Sequence, residues 1–180
     1  DKEDVFDLLE AVWQRKEEFP FDRTRMAIGG HSAGGNIATT VCKMLRDEGR
    51  NPFLAQVLDC PPLDFATPAK EKYFAEGAVL PEMADIFDAC YRPERMDAKD
   101  ARISPLWLPY SELTGMPDAL VITAENDSLR DEAENYARSL MRAGVEVTGK
   151  RFPNKRHAFA CSDSDGQTYI IDYLKRKLGV

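Results

Sequence analysis

One glycine-rich pentapeptide in this sequence has the composition and spacing of a turn that presents a nucleophile. Gly30-His31-Ser32-Ala33-Gly34 follows a short apolar run, Arg25 to Gly29, and precedes a segment with helical spacing. In a G-x-S-x-G pattern between a strand and a helix, small residues allow a strained turn that exposes the serine hydroxyl. The pattern predicts Ser32 as a nucleophile and the Ala33 amide as a donor to an oxyanion. The alternative is a structural turn in which the serine caps the helix.

A serine hydroxyl needs a base to accept its proton, and histidine is the usual one. The chain has two histidines, His31 and His157. His31 is adjacent to Ser32 within the tight turn, so we expect its side chain to diverge from the serine. His157 follows the last apolar alternating segment and precedes the last helical pattern. We therefore predict His157 as the base, the alternative being a histidine with a purely structural role in a loop.

The base in turn needs a carboxylate that orients its ring and stabilises the imidazolium. The acidic candidates follow the apolar run at 119–123 and are Glu125, Asp127, Asp131 and Glu132. Asp127 comes just after the carboxyl end of that predicted strand, where sites in open α/β sheets collect. Asp131 and Glu132 fall in the first turn of a predicted helix, where interaction with the helix dipole explains them. Asp127 is therefore the predicted acid.

Three motifs resemble the hormone-sensitive-lipase-type family of bacterial esterases: Gly29 to Ala38 (GGHSAGGNIA), Asn126 to Glu132 (NDSLRDE), and His157-Ala158-Phe159. They occur in the order of α/β-hydrolases and cover most of the chain. The resemblance implies Ser32 as nucleophile, Asp127 as acid and His157 as base. It also implies a serine carboxylesterase that hydrolyses small, short-chain acyl esters through an acyl-enzyme. We expect no cofactor and no metal ion.

The sequence departs from the family pattern at two points. Where the family usually has aspartate before the serine, this chain has His31. The family's H-G-G-G loop, which supplies further oxyanion donors, does not occur in this sequence, and we expect it upstream of residue 1 with the first strands of the sheet. Loss of one such donor typically costs about 2.7–4 kcal/mol of transition-state stabilisation. We therefore expect the 180-residue chain alone to be weakly active or inactive.

The apolar spacing predicts alternating helices and strands around these motifs. Helical patterns cover residues 2–18, before Pro20, a stretch from about 37 to Gly49, a stretch from about 133 to 141 that includes Tyr136, and residues 165–178. Strands are predicted at residues 25–29, 53–59, 119–123 and 145–152. This order favours a mostly parallel sheet with flanking helices, the α/β class. We expect a single, incomplete α/β-hydrolase domain over 1–180.

A proline-containing stretch from about 63 to 117 interrupts the alternation of strands and helices. Its short helical patterns near 69–76 and 82–91 predict an insertion with little sheet. The resemblance to the esterase family implies that this insertion contributes to a cap over the acyl pocket. Leu63, Phe65 and Trp107 are candidates for the acyl pocket or its cap, the alternative being ordinary core positions.

The amino-acid composition limits the kinds of molecule that this protein is expected to bind. A net charge of −7 argues against a nucleic-acid-binding surface. The widely spaced cysteines, Cys42, Cys60, Cys90 and Cys161, argue against a zinc site and favour reduced thiols in the cytoplasm. No apolar run is long enough to span a membrane. The sequence predicts a cytoplasmic protein with a small-molecule ester substrate.

Two other functions are compatible with these patterns. A peptidase or thioesterase can be built on the same scaffold, because the fold does not decide the substrate. A truncated, non-catalytic interaction module is the second alternative. An open strand edge near Met26–Ile28 would favour self-association in that case, because an unpaired edge recruits other chains.

Overall fold

The structure, a computed structural model, describes residues 2–15, 17–18, 21–93 and 95–180. Its helices and strands, in chain order, are α1 Lys2–Gln14, β1 Met26–His31, α2 Ala33–Asp47, β2 Phe53–Asp59, α3 Pro81–Tyr91, β3 Asp118–Asn126, α4 Arg130–Arg142, β4 Val147–Arg156 and α5 Ser164–Leu178. The described residues also form 3-10 turns at Ala69–Glu71, Pro105–Trp107, Tyr110–Leu113 and Phe159–Cys161.

Within the described residues the strands form one parallel sheet in the order β1-β2-β3-β4. In the register of the first pair, His31 at the end of β1 lies opposite Asp59 at the end of β2. Because parallel strands point the same way, the residues that follow β1, β2 and β3 meet at one edge of the sheet. That edge is where the predicted chemistry has to assemble.

Two apolar clusters hold helices on the two faces of the sheet. On one face, Val121 of β3 belongs to the same cluster as Val41 of α2 and Leu140 of α4. On the other face, the neighbouring Ile122 packs in a cluster with Tyr173 of α5. Successive strand residues point to opposite faces, so a strand that is apolar at both positions is covered on both sides. This is the three-layer arrangement that the α/β order predicts.

The predicted fold class is confirmed, with differences at the element ends. Helix α1 ends at Gln14 rather than near residue 18, and Pro20 lies outside the described residues. Strand β4 continues past Pro153 to Arg156, whereas the predicted strand ended at Phe152. Proline is tolerated there because β4 lies at the edge of the described sheet. On the outer side of an edge strand, backbone N–H groups do not bond to a neighbouring strand, so the missing N–H of proline breaks no hydrogen bond of the sheet.

The segment between β2 and β3 contains one α-helix and several 3-10 turns. The helical pattern near 82–91 corresponds to α3, whereas the pattern near 69–76 yields only the 3-10 turn Ala69–Glu71. A short pattern without further packing rarely offsets the unfavourable nucleation of a helix. In the part of the chain that the structure describes, no helix has both the length and the apolar character to cross a bilayer.

Candidate active site

Ser32 occupies a strained turn between β1 and α2. Its backbone has φ 53° and ψ −122°, a left-handed conformation that is unfavourable for residues other than glycine. Two hydrogen bonds hold it: the Ser32 amide donates to the Asp59 carbonyl at 2.8 Å, and the Gly35 amide donates to the Ser32 carbonyl at 2.8 Å. Strain of this kind persists only where the surroundings enforce it, and it is common at functional sites.

The turn requires glycine at position 30 because the backbone folds closely over it. A Cβ built on Gly30 would lie 2.2 Å from the carbonyl carbon of Gly34. No side chain fits at that distance. Because of this close approach, α2 begins directly after Ser32. The amide of Ala33, the first residue of the helix, therefore has no intrahelical acceptor.

The side chains of Ser32, His157 and Asp127 form a continuous hydrogen-bonded row. His157 Nε2 lies 2.9 Å from Ser32 Oγ, and His157 Nδ1 lies 2.8 Å from Asp127 Oδ2. Because a carboxylate only accepts, Nδ1 carries the proton and Nε2 is left to accept the serine hydroxyl proton. This is the arrangement of nucleophile, base and orienting acid that acyl-transfer enzymes use.

Asp127 is held rigidly in this row. Its side chain is fully buried, and its second oxygen, Oδ1, accepts a hydrogen bond from the Leu129 amide at 3.1 Å. A buried carboxylate with both oxygens bonded has few other orientations to adopt. Asp127 therefore presents a fixed acceptor to His157.

The three alternative acids have other partners. Glu125 accepts from the Asn154 amide at 2.7 Å. The half-exposed Asp131 pairs with Arg130 at 2.7 Å. Glu132 is buried and accepts from the Leu63 amide at 2.7 Å while pairing with Lys72. The geometry thus brings together the residues chosen from sequence and leaves out the others.

Cys60, Asp127 and His157 have the side-chain types that can bind a metal ion, and their ligand atoms lie within 4.8 Å of one another. However, the Nδ1 of His157 and the carboxylate of Asp127 already bind each other. Burial, together with the charges of Asp59 and Asp127, raises the pKa of the Cys60 thiol, which favours the protonated form over the thiolate that a metal needs. We therefore interpret the cluster as part of the hydrogen-bonded row.

A cavity of about 530 Å³ opens over the serine. Ser32, Ala33 and His157 lie in its wall, which is otherwise mainly apolar and also includes Pro62, Phe65, Val79, Phe87, Tyr91 and Leu129. A concave, apolar pocket with a few converging polar groups is typical of a small-molecule site.

The structure separates the three pocket candidates chosen from sequence. Phe65 lines the cavity, but Leu63 is fully buried in the core and Trp107 donates to Asp64 Oδ1 at 2.7 Å. Leu63 thus takes the alternative core position, and Trp107 lies outside the cavity wall. A hydrophobic or aromatic residue in this segment can face either the core or the pocket, and sequence spacing does not say which.

Two contacts at this site involve residues whose roles the sequence did not indicate. His31 Nδ1 lies 2.9 Å from Asp59 Oδ2, and Tyr91 donates to Asn36 Oδ1 at 2.8 Å. The first pairing depends on the register of β1 against β2, and the second on how α3 folds back over α2. Neither register nor packing is visible in a local pattern.

Comparison with known proteins decides the family. The family model described as the alpha/beta hydrolase fold matches residues 2–161. The chain belongs to the alpha/beta hydrolase family. The resemblance to hormone-sensitive-lipase-type esterases is confirmed by relatives that are named carboxylesterases.

Carboxylesterase NlhH of Mycobacterium tuberculosis is 34% identical over 165 residues, which are 87% of this chain and 50% of NlhH. The arylesterase of Saccharolobus solfataricus is 35% identical over 162 residues, 86% of this chain and 52% of that protein. A solved structure of a thermostable esterase from Pseudomonas putida ECU1011 superposes with a TM-score of 0.87 at 29% identity, covering 98% of this chain and 59% of that one. This alpha/beta hydrolase chain therefore spans about half the length of the curated relatives it matches.

Proposed function

We propose that this chain carries the catalytic residues of a serine carboxylesterase, with Ser32 as nucleophile, His157 as base and Asp127 as acid. The observation that supports it most strongly is the row of hydrogen bonds of 2.9 and 2.8 Å that links the three side chains at the wall of an apolar cavity. The relatives named carboxylesterase, arylesterase and ethyl acetate hydrolase support ester hydrolysis as the reaction.

The proposed reaction has two halves. In the first, Ser32 Oγ forms a bond to the ester carbonyl carbon as its proton passes to His157 Nε2, and the carbonyl oxygen becomes an oxyanion near the Ala33 amide. The bond to the alcohol then breaks, and the alcohol leaves with the proton from His157. In the second half, water attacks the acyl-serine, His157 takes its proton and returns it to Ser32 Oγ, and a carboxylic acid is released.

The cavity favours small carboxylic esters. Its wall near Ser32 is mainly apolar, with Phe65 and Leu129 among its side chains, so the apolar part of an acyl chain gains free energy when it leaves water for the cavity. Asp127 stays buried behind His157, where its charge stabilises the imidazolium in both halves of the reaction.

The test is labelling by a fluorophosphonate probe, which reports an assembled triad even where turnover is weak, together with hydrolysis of p-nitrophenyl acetate, whose rate we expect to be low for the 180-residue chain alone. We expect the probe to label Ser32, and we expect Ser32→Ala to abolish both labelling and hydrolysis. Ser111→Ala, at an exposed serine in a 3-10 turn, is the matched control and should react like the parent chain. Hydrolysis that survives Ser32→Ala unchanged would reject the nucleophile, and a chain that the probe does not label would favour a non-catalytic module. Parallel rates on acyl esters, thioesters and aminoacyl amides separate an esterase from a thioesterase or peptidase.

A further inference from the structure

One acidic residue, Asp88 of α3, lies in the wall of the cavity over Ser32. Among the described residues that line this cavity there is no other acid and no lysine or arginine. Apart from Ser32 and the two histidines, the surrounding wall is mainly apolar. A carboxylate in such surroundings is costly unless another group compensates its charge. A pocket for apolar acyl chains alone does not account for Asp88.

The carboxylate of Asp88 has no direct partner within the described part of the chain, neither a hydrogen bond nor an ion pair. Two cations are near enough to act on it, Lys72 and Arg92. Lys72 is already paired with Glu132 at 2.7 Å, and Arg92 is exposed to solvent, which screens its charge. The protein's own cations therefore compensate Asp88 only in part.

The electrostatics of Asp88 agree with this geometry. Burial raises the pKa of Asp88, and the negative charges of Asp85 and Asp64 act in the same direction. The positive charges of Lys72 and Arg92 act in the opposite direction but do not outweigh them. The carboxylate has thus lost water without gaining an equivalent positive charge, and a cation in the cavity would supply it.

Aromatic side chains share the cavity wall with Asp88. They are Phe65, Phe87 and Tyr91, of which Phe65 and Tyr91 stack with their ring centroids 5.3 Å apart. Aromatic rings attract cations, and quaternary ammonium groups are typical ligands of sites rich in such rings. A primary ammonium group would need several hydrogen-bond acceptors to replace its water. A quaternary ammonium group presents only methyl groups, so it suits a wall that is mainly apolar.

We propose that this cavity selects small esters that carry a quaternary ammonium group, and that Asp88 is its specificity-determining residue. The inference rests on the proposed function of Ser32 as nucleophile. A volume of about 530 Å³ is in the range of cavities that hold small molecules. In the hydrolysis of acetylcholine, Ser32 Oγ takes the acetyl group, choline leaves with the proton that His157 holds, and water then releases acetate.

The first test measures binding by ligand-observed NMR, which needs no turnover. The probes are choline and its neutral carbon isostere, in which a tert-butyl group replaces the trimethylammonium group. We expect the parent chain to bind choline about tenfold more tightly than the isostere, and Asp88→Asn to lose most of this preference. Asp85→Asn is the matched control, because it removes the same charge from an exposed site one turn away, outside this wall, and should keep the preference.

The second test measures kcat/KM for acetylcholine and for the neutral isostere of that ester. The ratio of the two values should fall about fivefold from the parent to Asp88→Asn. Because the ratio is compared between proteins, the intrinsic reactivities of the two esters cancel. Phe87→Leu removes a ring from the wall without changing charge and should also lower the ratio. That variant keeps the test available if Asp88→Asn fails to fold.

The two tests separate this inference from the proposed function. Equal binding of choline and its isostere by the parent would overturn the inference, even if the fluorophosphonate probe labels Ser32. An equal loss of preference in Asp85→Asn and Asp88→Asn would also overturn it, since the general charge of α3 would then be the cause. Selective choline binding by a chain that the probe does not label would instead reject the proposed function and keep the cation site.

Discussion

Tyr91, the last residue of α3, donates its hydroxyl hydrogen bond to Oδ1 of Asn36 in α2, across 2.8 Å. Asn36 is fully buried, and its amide nitrogen donates at 2.7 Å to the carbonyls of both Pro62 and Ile103. The Tyr91 ring also stacks on Phe65, with centroids 5.3 Å apart. One buried side chain thus ties α3 and the segment that follows β2 to the helix that begins after Ser32.

We predict that Tyr91→Phe loosens α3 over the cavity. The change leaves the ring stack on Phe65 but removes the 2.8 Å hydrogen bond to Asn36 Oδ1. That oxygen keeps a weaker donor in the Thr40 hydroxyl at 3.5 Å, so the loss costs about 0.5–1.5 kcal/mol. The free energy of unfolding should fall by that amount in urea titrations, and KM for p-nitrophenyl esters should rise more than kcat changes. Tyr110→Phe, at an exposed tyrosine, is the control and should alter neither quantity.

Gly30→Ala should disrupt the turn that presents Ser32. The added Cβ would lie 2.2 Å from the Gly34 carbonyl carbon, and backbone cannot yield as a flexible side chain can. We expect a loss of about 1–3 kcal/mol or more in unfolding free energy, with loss of fluorophosphonate labelling. Gly34→Ala is a stringent control, because a Cβ there meets nothing within 4 Å and alanine is the better helix former. Equal stability of the two variants would contradict this prediction.

Asp127→Asn should slow the chemical step without unfolding the chain. The amide can donate to Nδ1 of His157 and so favours the wrong tautomer, which in a comparable serine enzyme lowers kcat by about 10⁴. The rate of fluorophosphonate labelling measures this even where turnover is slow. Asp131→Asn changes an exposed acid four residues away and should label at the parental rate. Similar rates in both variants would show that another group orients His157.

The stability of the chain should depend on Asp64 at acid pH. Burial acts to raise the pKa of Asp64, but hydrogen bonds from Thr67, Trp107 and Ala66 outweigh it and hold the pKa below its ordinary value. The folded state therefore binds this proton less readily than the unfolded state, so the stabilisation is present above the unfolded pKa and is lost as pH falls through the folded pKa.

Asp64→Asn should consequently lower the unfolding free energy by about 1–3 kcal/mol at pH 7 and by less at pH 3. Urea titrations followed by tryptophan fluorescence measure the difference, because Trp107 contacts Asp64 directly. Asp172→Asn, at an exposed site on α5, should shift neither curve. If Asp64→Asn lowered the unfolding free energy equally at pH 7 and pH 3, the charge of the Asp64 carboxylate would not be the source of the stabilisation.

We predict that the outer edge of β1 allows the chain to self-associate. In the described part of the chain, β1 pairs with β2 on one side and has no strand on the other, and Met26–Ile28 are half-buried there. Open edges pair with other chains. We expect the apparent mass in size-exclusion chromatography with light scattering to rise with concentration, and Ala27→Lys to suppress the rise. Ala11→Lys, on the exposed face of α1, is the control. A constant monomer mass in the parent would refute this prediction.

Local patterns predicted much of the fold. The strand Phe53–Asp59 was predicted with the bounds that the structure has, because it is a mostly apolar run that ends shortly before two prolines. The ends of α1 and β4 were missed, since both depend on packing at the margin of the sheet. The absence of strands between β2 and β3 in the described residues agrees with the lack of a strand pattern there. Whether Phe65, Leu63 or Trp107 faces the cavity depends on tertiary contacts that sequence spacing does not show.

Residue types and short-range spacing were sufficient to predict the order of the elements, the turn around Ser32, and His157 and Asp127 as candidate partners of the serine, because few types of side chain can serve each chemical role. Tertiary structure decided the pairs: His31 with Asp59, Tyr91 with Asn36, and the contact between the rings of the two histidines. The physical reason is that a parallel sheet brings the carboxyl ends of its strands to one edge, so groups far apart in the chain become neighbours through register and packing. Those two properties are set by the whole core rather than by any local segment.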